Sequence, residues 1–394
     1  MSEREVVVVS GARTAIGGYG GSLKSIPPAD LAAQVVRESV SRAQLDPDEI
    51  GHCVIGNVMH TEQRDMYMAR VAALNGGLPV ATPAVTVNRL CGSGLQAIVS
   101  AAQTVLLGDT DAAVAGGAEN MSRAPYWATN MRWGQRMGDS TLVDVMTAGL
   151  SDPFDDCHMG VTAENVAEKW QITREDQDQL ALESHKRAVS AIESGYFASQ
   201  ILPVEVKQRK KTVVFDRDEH ARADTDIESL AKMRPVFQKD GSVTAGNSSG
   251  INDAAAAVVL MEAGAAKSRN IAPLGRMVGY AHAGVEPKYM GIGPVPAINM
   301  VLEKTGLAMA DMDVIELNEA FAAQALAVMR DLDLPADKTN PNGSGISLGH
   351  PVGATGCILT VKALYELHRT GGRYGLVSMC IGGGQGIAAI FERM

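Results

Sequence analysis

Two cysteines and one histidine sit where chemistry could be done. Cys91 follows the short apolar run Ala84–Asn88 and opens a helical pattern, among the small residues of Leu90-Cys-Gly-Ser-Gly94. A helix N-terminus carries partial positive charge and free N–H groups, so the position predicts a lowered thiol pKa and a nucleophilic sulfur. The neighbouring glycines leave room for a substrate. The competing reading is an inert buried thiol, the commoner fate of a lone cysteine. His350, in Leu348-Gly-His-Pro-Val-Gly-Ala-Thr-Gly356, lies at another loop-to-helix junction. Imidazole is the usual partner that takes a thiol's proton; a hydrogen-bonded core histidine is the alternative. Cys380 ends an apolar run and precedes Ile-Gly-Gly-Gly-Gln-Gly386. The carboxyl end of a parallel strand is where ligands bind in such sheets, against plain core packing. That glycine run leads into strand-like Ile387–Phe391 and not into a helix, which excludes a nucleotide fingerprint. His52 and His60 are too scattered to suggest a metal site.

The elements that must position these residues read as two copies of one plan. In the first, Leu31–Leu45 is helical by spacing, Asp46-Pro-Asp-Glu49 turns, and His52-Cys-Val-Ile-Gly-Asn57 is a strand. In the second, helix Val295–Leu307, turn Ala310-Asp-Met-Asp313 and strand Val314–Asn318 repeat the order. Both strands end in Asn. The first copy goes on through strand Ala84–Asn88, a helix to Leu107 with Leu95, Ile98, Val99, Ala102 and Val105 at helical spacing, a stop at Gly108, and strand Ala112–Ala115 running into Gly116-Gly117. The second has the His350 segment, a helix to Arg369, the Gly371-Gly372 break and strand Tyr374–Cys380. Cys91 and the Pro351–Gly353 turn take matching places. Strand–helix–strand units imply parallel strands and right-handed crossovers. The expected division is 1–270 and 271–394. An insertion at about 121–245 covers the site, and it includes a helix from Arg174 to Ser194 capped by Thr173 and stopped at Gly195. Equivalent strand ends of two such halves can meet at one crevice.

Composition sets outer limits. A formal net charge of −10 argues against a nucleic-acid partner that works by phosphate neutralisation. The cluster Lys207-Gln-Arg-Lys-Lys211 could draw phosphates but reads better as a solvated hairpin. No leader and no bilayer-spanning stretch is read, so no membrane partner is expected. Five dispersed cysteines without a Cys-x-x-Cys pair suggest reduced thiols in a cytoplasmic protein.

Four segments together resemble the thiolase family: Val87-Asn-Arg-Leu-Cys91-Gly-Ser-Gly-Leu-Gln96, Asn318-Glu-Ala-Phe-Ala-Ala323, Gly349-His-Pro-Val-Gly-Ala-Thr-Gly356 and Cys380-Ile-Gly-Gly-Gly-Gln-Gly386. The resemblance covers essentially the whole chain and is closest to the bacterial β-ketothiolases of the acetoacetyl-CoA and polyhydroxyalkanoate type. It implies an α/β thiolase fold: two duplicated halves with mixed five-stranded sheets in a layered stack, an inserted loop domain, and a homotetramer. It implies acetyl-CoA C-acyltransferase chemistry on acyl-CoA thioesters, with coenzyme A as substrate and no prosthetic group. By resemblance Cys91 is the nucleophile, His350 draws its proton, and Cys380 moves the α-proton. One oxyanion site would be His350 with a water held by Asn318, whose bland alternative is a helix cap before Ala320. The other would be the N–H groups of Cys91 and Gly382. Arg222 and Ser249 match residues near the nucleotide and pantetheine. His158, Met159, Phe237, Met290, Ala320 and Phe321 match the pantetheine and acyl channel. Ser248 departs from the more usual Ala, and Cys157 stands at a variable place expected near the acyl pocket. The rivals are a degradative 3-ketoacyl-CoA thiolase, a ketoacyl synthase (disfavoured by Cys380), a non-catalytic lipid-binding relative and a Cys–His hydrolase.

Overall fold

The computed structural model describes residues 4–208 and 211–394. The first half runs β1 (Val6–Thr14), α1 (Pro28–Arg42), β2 (His52–Gly56), β3 (Ala84–Val87), α2 (Ser93–Leu107) and β4 (Ala112–Asn120). An inserted segment follows, with helices α3 (Met159–Lys169) and α4 (Arg174–Glu193), before β5 (Asn252–Glu262) returns to the sheet. The second half runs β6 (Gly275–Gly284), α5 (Pro294–Thr305), β7 (Met312–Leu317), α6 (Ala322–Asp331), α7 (Thr355–Thr370), β8 (Tyr374–Ile381) and β9 (Gln385–Arg393).

These strands form one sheet in the order β7-β8-β9-β6-β1-β5-β4-β2-β3. Within the sheet the halves meet at Val7↔Arg276 and Val8↔Gly275. Each half is mixed. Strand β2 is parallel to β3 and β4, while β5 is antiparallel to β4 and β1. Likewise β7 is parallel to β8, while β9 is antiparallel to β8 and β6. The first half has five strands. In the second, the fifth position holds only a parallel bridge, Ile315↔Thr339. The neighbouring Asn340 side chain does the work of a strand there: its Oδ1 accepts from Leu317 N–H at 2.9 Å and its Nδ2 donates to Leu317 O at 2.8 Å.

Helices α2 and α7 cross between the halves on two glycines. A Cβ on Gly94 would lie 2.7 Å from Cys357 N, and one on Gly356 would lie 2.3 Å from Leu95 N. Only glycine permits backbones this close. Both helices end on a left-handed glycine, Gly108 and Gly371. Contrary to the expectation of no span-like stretch, Leu90–Leu107 is long and apolar enough to cross a bilayer, with a mean hydropathy of 1.4. Its position explains the composition: Leu95, Ile98, Val99 and Val105 are fully buried in the largest core.

Within the insertion, α4 is capped as expected, Thr173 Oγ1 accepting from Asp176 N–H at 3.1 Å. The insertion is tied to β1 by the buried pair Arg13–Asp218, with contacts of 2.7 and 2.9 Å. Strands Val204–Gln208 and Lys211–Phe215 pair antiparallel, with Lys207 and Lys211 exposed, in accord with a solvated hairpin. Arg209 and Lys210 lie outside the described residues.

Candidate active site

Cys91 stands on a strained turn between β3 and α2. Leu90 adopts φ 46°, a left-handed value costly for a leucine. Side chains hold the turn. Asn88 Oδ1 accepts from Leu90 N–H at 2.9 Å, and Ser93 Oγ accepts from Arg89 N–H at 2.9 Å while donating to Leu90 O at 2.7 Å. Helix α2 begins two residues later, at Ser93. The expected lowering of the thiol pKa does not result. Burial pushes Cys91 up to about 11, against the pull of the N–H groups of Gly382 and Cys91 itself, which approach the sulfur. Removing the sulfur from water outweighs the helix terminus. The resting group is a thiol that needs a base.

His350 lines the same cavity as Cys91. Burial lowers the histidine to about 4, so it is a neutral imidazole at neutral pH. Its Nδ1 lies 2.7 Å from Thr355 Oγ1, and that hydroxyl donates its single proton to Pro351 O at 3.0 Å. Thr355 therefore accepts from Nδ1–H, which leaves the lone pair on Nε2. Asn318 Nδ2 is 3.4 Å from Nε2. Asn318 Oδ1 is buried with no protein donor. The helix-cap reading of Asn318 is wrong: α6 starts at Ala322 with Phe321 at its N-cap position and no side-chain cap. The bend at Glu319–Phe321 turns Asn318 back toward His350 and away from the helix end. The His350 loop is anchored to the first half by His350 N–H donating to Asn252 Oδ1 at 3.0 Å.

Cys380, near the end of β8, is buried, and both burial and the nearby Cys91 sulfur push its thiol well above the usual range. Cys91, His350, Cys380 and Gly382 line one cavity of about 740 Å³. Its outer walls include His158, Met159, Phe237 and Arg222 from the insertion, with Ser248 and Ser249 at one side. Met290, Ala320 and Phe321 complete the apolar side. Of the residues expected at the site, Asn318 and Cys157 are not in the lining; Asn318 stands behind His350. His158 stacks on Phe237 with centroids 4.7 Å apart, and Phe237 meets Phe321 edge-on at 6.2 Å. His158 Nδ1 also accepts from Gly160 N–H at 3.0 Å, capping α3. The result is a cavity with His158, Phe237 and Phe321 in its wall and Arg222 among its lining residues. It suits a long, thin, mostly apolar arm ending in a charged group.

The thiolase N-terminal domain matches residues 6–264, and the thiolase C-terminal domain matches residues 271–393. The chain belongs to the thiolase family. It is 65% identical over 392 residues to the beta-ketothiolase BktB of Cupriavidus necator, covering 99% of this chain and all of that protein. Among solved structures it resembles the Bacillus anthracis acetyl-CoA acetyltransferase (TM-score 0.97, 48% identity, 100% of this chain and 99% of the other). It also resembles human mitochondrial 3-ketoacyl-CoA thiolase in complex with CoA (TM-score 0.96, 45% identity, 99% and 98%).

Of the two departures from the thiolase pattern, one lies outside the cavity and one lines it as expected. Cys157 is not in the cavity lining; it pairs with Asp152 in a short hairpin whose acidic neighbours, after burial, raise its thiol. Ser248 does line the cavity, its hydroxyl donating to Thr244 O at 2.6 Å. Sequence reasoning missed Thr355, although it lies in the same segment as His350, and Glu119, which ends the Ala-Gly-Gly-Ala run of β4. It also missed Met121, Leu150, Ile251 and Val352, which line the cavity beside Cys91. These are single apolar residues on separate loops, with no periodic signal. Among the described residues no group of His, Cys, Asp and Glu could hold a metal ion.

Proposed function

We propose that this chain is a β-ketothiolase that interconverts a β-ketoacyl-CoA plus coenzyme A with acyl-CoA plus acetyl-CoA through an acyl-Cys91 intermediate. One observation carries the reading: the half-buried Cys91 thiol, the buried Cys380 thiol and a neutral imidazole line a single cavity that suits a pantetheine arm. In the cleavage direction His350 Nε2 takes the Cys91 proton as the sulfur attacks the β-carbonyl. The N–H groups of Cys91 and Gly382 receive the oxyanion that forms on that carbonyl, while the imidazolium Nε2–H and a water held by Asn318 Oδ1 face the thioester oxygen of the departing acetyl-CoA enolate. The C–C bond breaks, and the acetyl-CoA enolate takes its α-proton from the Cys380 thiol. Incoming coenzyme A passes its thiol proton to Cys380 as its own sulfur attacks acyl-Cys91. The oxyanion of this second attack is on the same oxygen and is received by the same N–H groups. Each donor of this kind is worth roughly a hundred- to a thousandfold in rate. His350 finally returns its proton to Cys91, so every proton is accounted for, and condensation is the reverse sequence.

The insertion at 121–245 would cover coenzyme A, with Arg222 and Ser249 toward the nucleotide end and His158, Met159, Phe237, Met290, Ala320 and Phe321 along the arm. The biosynthetic type is favoured over the degradative one by the 65% identity to a beta-ketothiolase, against 45% to the mitochondrial enzyme. Two separate apolar surfaces favour a homotetramer: the edge around Val80, Val85 and Leu107, and the hairpin 126–144 carrying Trp133, 91% exposed, and Met137, 87% exposed. Five free thiols fit a reducing compartment such as the cytoplasm.

The test is acetoacetyl-CoA with and without free coenzyme A. Consumption that requires coenzyme A and yields acetyl-CoA supports the reading. Consumption without it, releasing free acid, makes the chain a Cys–His hydrolase. Strong preference for long acyl chains would favour the degradative type.

A further inference from the structure

The duplication has a consequence at the site's mirror position. In the first half Gly56 pairs with Gly117, so Asn57 and Glu119 follow one and two places on. In the second half Leu317 pairs with Ser378, so Asn318 and Cys380 follow by the same offsets. Counted back from the crossing glycines, Cys91 lies three before Gly94 and Gly353 three before Gly356. The set Asn318, Cys380 and Cys91 thus has a counterpart in Asn57, Glu119 and Gly353. Where Cys380 faces Cys91 on one side, Glu119 holds Gly353 on the other.

Glu119 is fully buried, and its carboxylate receives four donors. These are Val58 N–H at 3.0 Å, Met59 N–H at 3.1 Å, Asn57 Nδ2 at 3.1 Å and Gly353 N–H at 2.9 Å. Asn57 Nδ2 also donates to Ala118 O at 2.9 Å, which fixes the amide's orientation. Burial pushes this carboxyl up to about 8 against the pull of the Met59, Val58 and Gly353 N–H groups, but no acceptor for a carboxyl proton stands among the four donors, so the geometry favours the ionised form. Three of the donors come from the first half. The fourth, Gly353, is three residues from His350. The carboxylate is therefore a bond between the two halves at the loop that carries the base.

We propose that Glu119 is a positioning residue for the reaction: by clamping Gly353 to the strand-end loop of the first half, it holds His350 in register with Cys91. The proposal rests on the thiolase reading above and concerns which residue maintains its geometry. Glu119 touches no substrate in this scheme. Misplacing a reacting group by about 1 Å can cost about a hundredfold in rate.

Two variants break the clamp from opposite sides. Glu119→Gln turns an amide N–H₂ toward two of the N–H donors. Gly353→Ala keeps the carboxylate but places a Cβ 2.6 Å from its Oε2. In each, thiolysis kcat falls about a hundredfold with KM little changed, the signature of a geometry used in the transition state. The double variant is no slower than the poorer single one, because both remove the same bond. Alkylation of Cys91 by iodoacetamide, followed by mass spectrometry across pH, slows in both at neutral pH because His350 no longer meets the thiol. This readout needs no transferase activity. If the wild type cleaved no β-ketoacyl-CoA, the proposed function would fail, yet the alkylation comparison would still judge the clamp. A Glu119→Gln protein with wild-type kcat and alkylation profile overturns the proposal, as do losses that multiply in the double variant. Should Glu119→Gln not fold, Gly353→Ala with wild-type kcat and alkylation does the same.

Discussion

At the scale of single residues, the state of Cys91 follows from competition between burial and local N–H groups, and burial wins. The pKa raised to about 11 makes the thiol the form present below that pH, so the reactive thiolate grows as pH rises toward it. Iodoacetamide alkylation of the free enzyme should climb steadily from pH 7 to 10; a plateau near neutrality would mean a preformed thiolate. The hydroxyl of Thr355 sets the useful tautomer of His350. Thr355→Val leaves a buried Nδ1–H unpaired at about 1–3 kcal/mol, which predicts a kcat lower by roughly ten- to a hundredfold. Thr355→Ser, which keeps the hydroxyl, should recover most of it, and steady-state kinetics on the pair checks this. Cys91, His350 and Cys380 were legible because each lies in a segment rich in Gly at an element junction. Glu119 was not, since its meaning lies in partners on two loops far apart in sequence. The predicted low thiol pKa failed because sequence shows a helix start and does not show how much water reaches it.

At the scale of elements, the site depends on the crossing of α2 and α7, since α2 starts just after Cys91 and α7 just after Gly353. Gly94→Ala forces a Cβ to 2.7 Å from the Cys357 amide nitrogen. The expected cost is about 1–3 kcal/mol, read as a lower Tm together with reduced acylation of Cys91. An unchanged Tm would show that the helices separate easily. Helices were legible from apolar spacing and glycine stops, and their ends fell within a few residues. Strand β6 was not read from the sequence. Gly275-Arg-Met-Val-Gly-Tyr-Ala-His-Ala-Gly284 has three internal or terminal glycines and a register shift between Met277 and Gly279 that breaks its alternation. The fifth strand of the second half was expected and is a bridge, because a side-chain amide took the place of a backbone ladder.

At the scale of the whole molecule, duplication explains both the fold and the placing of the site. Two copies of one plan bring their strand ends together, one junction carrying thiols and imidazole, the other a carboxylate. The halves were legible because helix, turn and strand recur in the same order. That an insertion covers the site was legible from its lack of a counterpart in the second half; which of its residues line the cavity was legible only through family likeness. The exposed hairpin 126–144 predicts assembly: Trp133→Glu should convert a tetramer into smaller species in analytical ultracentrifugation, and a wild type that sediments as a monomer would refute that part. The central claim is that Cys91 carries the acyl group while Cys380 only moves a proton. The most direct measurement is intact-protein and peptide mass spectrometry of Cys380→Ala and Cys91→Ala after mixing with acetyl-CoA. The account predicts a stable acetyl group on Cys91 in the first variant, with condensation nearly abolished, and none in the second. Acetylation that survives in Cys91→Ala, or Cys380→Ala that condenses at the wild-type rate, would contradict it.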